Sequence, residues 1–192
     1  MRLFVALAIP REVRDKIASL IRELRDVDAK PKWINPDNLH VTLKFIGQVA
    51  PQKAAEIGDA LSTVQTQQSV VVEFREIGFF PDARRPSVAW VGIQPPQILS
   101  FLAAEVNRVL APLGIPREEK PFTPHLTIAR FKETRLSQAL RAEIEKQKSR
   151  KFDTLASGEF HLIESKPKSA GAEYTTLRSL RFAPEKSKGS RP

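Results

Sequence analysis

The run from Leu3 to Ile9 is apolar without interruption, as in a strand covered on both faces. From Pro10 onward the period changes, and Val13, Ile17, Leu20, Ile21 and Leu24 recur at three- and four-residue spacing. A strand over 2–9 and an amphipathic helix over 10–26 are the prediction. The same reading continues with a strand over 39–46, a helix over 51–66 and a Val-rich strand over 69–80. After the turn-like "PDARRP" another strand lies within "RRPSVAWVGI". A helix over 97–112 would place Ile98, Phe101, Leu102, Val106, Val109 and Leu110 on one side. A strand over 124–131, a helix over 136–148 and strands near 158–165 and 173–182 complete the chain.

The order strand, helix, strand, helix, paired strands thus occurs once in full and again, more loosely, from 97 onward. It predicts an α+β fold of two pseudo-symmetric lobes, each an antiparallel sheet backed by helices. No long Gly/Ser linker divides the 192 residues, so 1–183 are expected to form one bilobal domain, with 184–192 a basic, flexible tail.

Two stretches break the monotony of core and surface. "NLHVTLKFIG" begins at Asn38 and "TPHLTIARFK" at Thr123; each sets a histidine two places before a threonine, with apolar residues between and after. In a strand, His40 and Thr42 point one way while Leu39, Val41, Leu43 and Phe45 point the other, and His125 and Thr127 stand likewise against Leu126 and Ile128. A lone histidine is more often structural than catalytic. Two of the chain's three histidines in matched settings shift that balance. The third, His161, has no threonine after it and reads as structural or surface.

Composition narrows the chemistry. There is no cysteine, which excludes disulfides, thiolate metal sites and cysteine nucleophiles and fits a reducing cytoplasm. The opening "MRLFVALAIP" is too short an apolar run to span a bilayer and sits at the lower limit of a secretory signal core; it reads as a buried strand, and no membrane segment is expected. The net charge of +9 suits a polyanion such as RNA, although a merely solvated basic surface has the same sign, and part of the excess lies in "EKQKSRK" and in the tail "PEKSKGSRP". With eight glycines there is no phosphate-cradling Gly-rich loop, and no Gly-x-Ser-x-Gly elbow is present. A histidine metal site is a rival reading, but each phrase offers one ligand and no neighbouring Asp, Glu or Cys. A non-catalytic RNA-binding module is a second rival; it would lack the glycine-aromatic signature of RNA recognition motifs.

Two imidazoles and two hydroxyls fit phosphoryl transfer to water. One imidazole takes the proton of the attacking water, the other protonates the departing oxygen, and the threonines donate to non-bridging oxygens. Symmetry leaves open which histidine is acid and which is base.

"HVTLKFIG" and "HLTIARFK" resemble the paired His-x-Thr-x motifs of the two-histidine (2H) phosphoesterases. "MRLFVALAIP", "WINPDNLHVTLKFIG", "GFFPDARRPSVAWVGI" and "KPFTPHLTIAR" resemble the branch of RNA 2′,3′-cyclic phosphodiesterases, also called 2′-5′ RNA ligases. The resemblance runs from about Arg2 to about Phe182. It implies a central cleft between the lobes and metal-independent hydrolysis of terminal RNA 2′,3′-cyclic phosphate to a 2′-phosphomonoester, with 2′-5′ ligation as the reverse-type reaction. By the same resemblance His40 is the proton donor, His125 the proton acceptor, and Thr42 and Thr127 hold the phosphate. No cofactor is implied. RNA ends or cyclic nucleotides are the partners, and a monomer is the default state.

Around the phrases, Arg130 occupies a position where this branch usually carries arginine, but strict alternation turns it toward the Leu126/Ile128 face unless the strand bulges. Lys44 shares the parity of His40 and Thr42 and is expected on the RNA-facing side. Arg84 and Arg85 read as a solvated turn or a backbone contact, Trp33 as a rim residue or a base-stacking one, and Trp90 as packing.

Overall fold

The chain is described by a computed structural model covering residues 1–65, 69–118, 121–132, 136–168 and 171–182. The tail assigned to 184–192 lies outside the described residues. In chain order the elements are β1 (Arg2–Ala8), α1 (Arg11–Val27), β2 (Lys32–Trp33), β3 (His40–Gln48), α2 (Pro51–Leu61), β4 (Val70–Phe80) and β5 (Val88–Gln94). They continue with α3 (Pro96–Leu110), β6 (His125–Arg130), α4 (Gln138–Gln147), β7 (Lys151–Ser157), β8 (Glu159–Lys168) and β9 (Gly171–Arg181).

The helices form where the apolar period asks for them. In α1 the five residues buried are the five the pattern selects, Val13, Ile17, Leu20, Ile21 and Leu24. Proline opens α2 and α3, where its missing N–H costs nothing. Ser137 caps α4 by accepting a bond from the Leu140 N–H at 3.2 Å. Helix α2 stops at Leu61, short of the predicted 66, in a turn through Ser62 and Thr63. In α3 Leu99 and Ala103 join the buried side, while Phe101 is exposed.

Two antiparallel sheets result, one in the order β3-β1-β8-β9 and the other β2-β6-β5-β4-β7. Helices α2 and α3 lie against the first, α1 and α4 against the second, and one continuous core of buried aliphatic and aromatic side chains runs between sheets and helices. The two lobes are therefore present, but they are not the two halves of the sequence. Strands β1 and β3 of the first half pair with β8 and β9 of the second, while β4 crosses to the sheet that holds β5 and β6. Among the described residues no helix is long and apolar enough to cross a membrane.

Candidate active site

Strands β3 and β6 belong to different sheets yet run side by side, and each begins at its histidine. The local structure of the two is the same in kind. His40 Nδ1 lies 2.8 Å from the Asn38 carbonyl oxygen, and His125 Nδ1 lies 2.8 Å from the Thr123 carbonyl oxygen. A carbonyl only accepts, so each Nδ1 carries the proton and donates it, which leaves each Nε2 free for chemistry. Asn38 is itself held: its side-chain amide donates to the Ala172 carbonyl at 2.7 Å, and the turn at Pro36–Asn38 is capped by Asn35, which accepts from the Asp37 N–H.

Aromatic rings fix the imidazoles from the side. His40 sits 4.7 Å from the Phe4 ring and edge-on to Tyr174 at 5.2 Å, while His125 is edge-on to Phe80 at 4.9 Å. Phe80 in turn rests on Trp90 at 5.2 Å, whose ring lies over Gly78 and Gly92. Trp90 thus packs, as expected, in direct support of the residue that supports His125. Tyr174, on β9, has no motif around it in the sequence; only the fold brings this sole tyrosine to His40.

Beyond the threonines the strands bulge at matching places. Thr42 pairs with Ala6 and Lys44 with Val5, so Leu43 is the extra residue; Thr127 pairs with Trp90 and Ala129 with Ala89, so Ile128 is. The bulge reverses the parity of the residues after it. Lys44 is turned into the interior, 3% exposed, where its Nζ donates to the Pro116 carbonyl at 2.5 Å and lies 3.5 Å from Glu118. The expectation that Lys44 faces RNA is corrected by this, and so is that of Phe45 on the core-facing side, since the bulge leaves it exposed and paired with Phe4 on the face of His40 and Thr42. Arg130 moves as Phe45 does, out of the core-facing set and onto the histidine side. Its charge reaches His40, His125 and Tyr174 alike.

Burial is the main reason both imidazoles titrate below their ordinary 6.5. The bond from each Nδ1 to its carbonyl partly offsets this, and the Arg130 charge lowers both further. His40 is also lowered by the charge of His125, so the two rings lie within each other's field.

The remaining candidates are dispersed. His161 is on the same face of its sheet, beyond Ala6 from Thr42, with Nδ1 3.0 Å from the Ser179 hydroxyl. Arg84 and Arg85 occupy an exposed turn whose N–H groups donate to Asp82. Trp33 is partly buried and donates from its indole to the Asp28 carbonyl at 3.0 Å. It lines a hollow of about 320 Å³ beside α1, which includes neither motif histidine.

Two helix-backed antiparallel sheets that bring one histidine strand apiece together define a known class of fold. The crystal structure of a Thermus thermophilus protein shares it with a TM-score of 0.73 at 26% identity, covering 96% of this chain and 100% of that one. The chain belongs to the 2′-5′ RNA ligase superfamily, whose sequence model matches residues 13–166. Among its relatives, a protein of Archaeoglobus fulgidus named RNA 2′,3′-cyclic phosphodiesterase is 35% identical over 178 residues, 93% of this chain and 98% of its own length. One of the same name from Aquifex aeolicus is 31% identical, over 94% of this chain and 96% of its own.

Proposed function

We propose that this protein hydrolyses the 2′,3′-cyclic phosphate at an RNA end to a 2′-phosphomonoester, with the two motif histidines as its acid and base and no metal ion. The observation that carries the reading is the matched pair of imidazoles, each with Nδ1 committed to a carbonyl and Nε2 left free, under one arginine's field. The names of the relatives support the substrate class. In the proposed reaction His125 Nε2 takes a proton from water as its oxygen bonds to phosphorus. The bond from phosphorus to O3′ breaks, and O3′ takes the proton from His40 Nε2. Thr42, Thr127 and Arg130 face the phosphate and stabilise the charge on its non-bridging oxygens. With a 5′-hydroxyl in place of water the same steps join RNA ends 2′-5′. The continuous core, which reaches Phe182, supports treating 1–183 as one functional domain.

Incubation of the purified protein with chelator and cyclic-phosphate RNA ends is expected to yield 2′-phosphate. A 3′-phosphate product, or turnover only with added metal, would overturn the mechanism. Turnover of mononucleoside cyclic phosphates alone would favour the small-nucleotide reading instead, and RNA affinity without turnover the binding-module one.

Arg130→Gln removes a cation from both the phosphate and the imidazoles. It is expected to raise KM on the order of tenfold, as for a lost charge-assisted hydrogen bond. Because the Arg130 charge holds both histidines down, the bell-shaped profile of kcat/KM should move to higher pH in that variant. An unchanged profile would place Arg130 outside the site.

The same shifts predict a stability trend. In the unfolded chain the histidines bind protons near 6.5, in the folded protein only at lower pH, so the unfolded state binds more protons between those values. This contribution to stability is whole above about pH 6.5 and is lost as pH falls through the folded values. A His40→Gln/His125→Gln double variant should therefore lose less Tm than the parent between about pH 7 and about pH 5, measured by thermal melting.

A further inference from the structure

Away from the paired imidazoles, the hollow of about 320 Å³ between α1 and the segment from Trp33 to Pro36 gathers cations and an aromatic ring. Ala18, Arg22 and Arg25 follow one another at four and three residues, so they share a stripe of α1. The small Ala18 leaves the space that the two arginines border. Both arginines are exposed, and among the described residues neither has a carboxylate within ion-pairing distance. Elsewhere on the helix the charges are taken up: Arg11 lies 3.6 Å from Asp15, and Glu23 lies 3.0 Å from Arg150. None of the described residues lining the hollow is acidic.

Trp33 forms the facing wall. Its indole N–H, the ring's one donor, is committed to the Asp28 carbonyl, and part of the ring rests on the core. The ring is thereby held with the rest of its surface toward the hollow. Strand β2, which carries it, is the edge of its sheet, and the two residues of the strand face opposite ways. Trp33 pairs with Ala129 and faces α1, whereas Lys32 pairs with Arg130 and shares its side, toward the histidines. Lys32 is exposed and likewise has no carboxylate partner among the described residues. Cations therefore lead from Arg130 past Lys32 and over the sheet edge to Arg22 and Arg25, where the ring stands.

A bare phosphate or an acidic peptide would use the cations and leave the ring idle. A base joined to a phosphate uses both, and the hollow is at the lower end of the volumes that hold small ligands. We propose that this hollow binds one nucleotide of an RNA strand outside the reaction cleft, with its base against Trp33, its phosphate on Arg22 and Arg25, and the strand crossing the edge of β2 past Lys32. The proposal rests on RNA being the substrate and extends that reading from the reacting end to the body of the strand. It makes a long single strand a better substrate than a cyclic mononucleotide while leaving the chemical step as it is.

Two variants separate the hollow from general basic charge. Arg22→Gln/Arg25→Gln removes the cations, and Ala18→Leu fills the space with every charge left in place. On a single strand of about ten nucleotides ending in a cyclic phosphate, both should raise KM by about tenfold with kcat unchanged. On adenosine 2′,3′-cyclic phosphate both should match the parent. The same strand without its cyclic phosphate should quench tryptophan fluorescence in the parent and much less in either variant, which reads binding without turnover. Thermal melts confirm that the variants fold. Parental KM on the long strand in both variants, or an equal rise on the two substrates, would overturn the proposal. So would a loss confined to the arginine variant, which would reduce the arginines to a diffuse basic surface. Quenching by adenosine monophosphate as tight as the strand's, and lost in Ala18→Leu, would make the hollow a small-nucleotide site and equally overturn it. A protein that bound the strand through the hollow yet turned over neither substrate would refute the hydrolytic reading and uphold this one.

Discussion

Replacing His125 by alanine is expected to lower kcat/KM by about two to four orders of magnitude while the fold survives, and His40→Ala should do the same. Both rings are only partly enclosed, and each makes a single hydrogen bond, to a carbonyl that solvent can then reach. The two losses should differ in form. Without the base, the dependence on deprotonation below neutrality disappears; without the acid, the decline at higher pH disappears. A pH series on the single variants distinguishes them and assigns the roles directly. The double variant should be little worse than either single one, because acid and base act in one step. His161→Ala provides the contrast. Its ring bonds to Ser179 rather than facing the paired imidazoles, so turnover should change by no more than a few-fold. Near-parental rates in the His40 and His125 variants would end the proposed mechanism.

Gly78→Val is the second large effect, and it acts at a distance. A Cβ at Gly78 would stand 2.2 Å from Trp90 Cζ2 and 2.3 Å from Cη2, so the indole must leave its slot. It has little room to do so, since the indole also lies against Gly92, where an added Cβ would stand 3.3 Å from Trp90 Cζ3, and against the Phe80 ring. Overpacking of this kind costs about 1–3 kcal/mol. The displaced ring is the one that supports Phe80, and Phe80 is the one that orients His125. Tm and kcat should therefore fall together, the second by more than the lost folded fraction accounts for. Gly158→Ala, where an added Cβ meets nothing within 4 Å, should leave both nearly unchanged.

Much of this architecture is legible in the hydrophobic pattern. Helix α1 and strands β1, β3, β4, β5 and β6 lie close to where periodicity places them, because each buries a regular face. Strand β7 does not announce itself. It is a sheet edge that comes after a basic run, and its buried Phe152 and Leu155 are three apart, a spacing foreign to a strand. Strand β2 is two residues long and exists through its pairing with β6. At the site, simple alternation carries His40, Thr42, His125 and Thr127 to their faces and then fails at Leu43 and Ile128. A bulge there has no signature, since the extra residue is as apolar as a regular core residue. The exchange of strands between the lobes is equally silent, because nothing in a strand's composition names its neighbour.

That exchange has a consequence for how the protein comes into being. Strand β8 inserts between β1 and β9, joining Leu3–Ala6 to His161–Glu164. Closure over so long an intervening chain is slow, and the sheet bearing His40 gains its inner neighbour only once β8 has been synthesised. A nascent or prematurely terminated polypeptide would hold both histidines yet be unable to oppose them, so catalytic competence arrives in one late event instead of growing lobe by lobe.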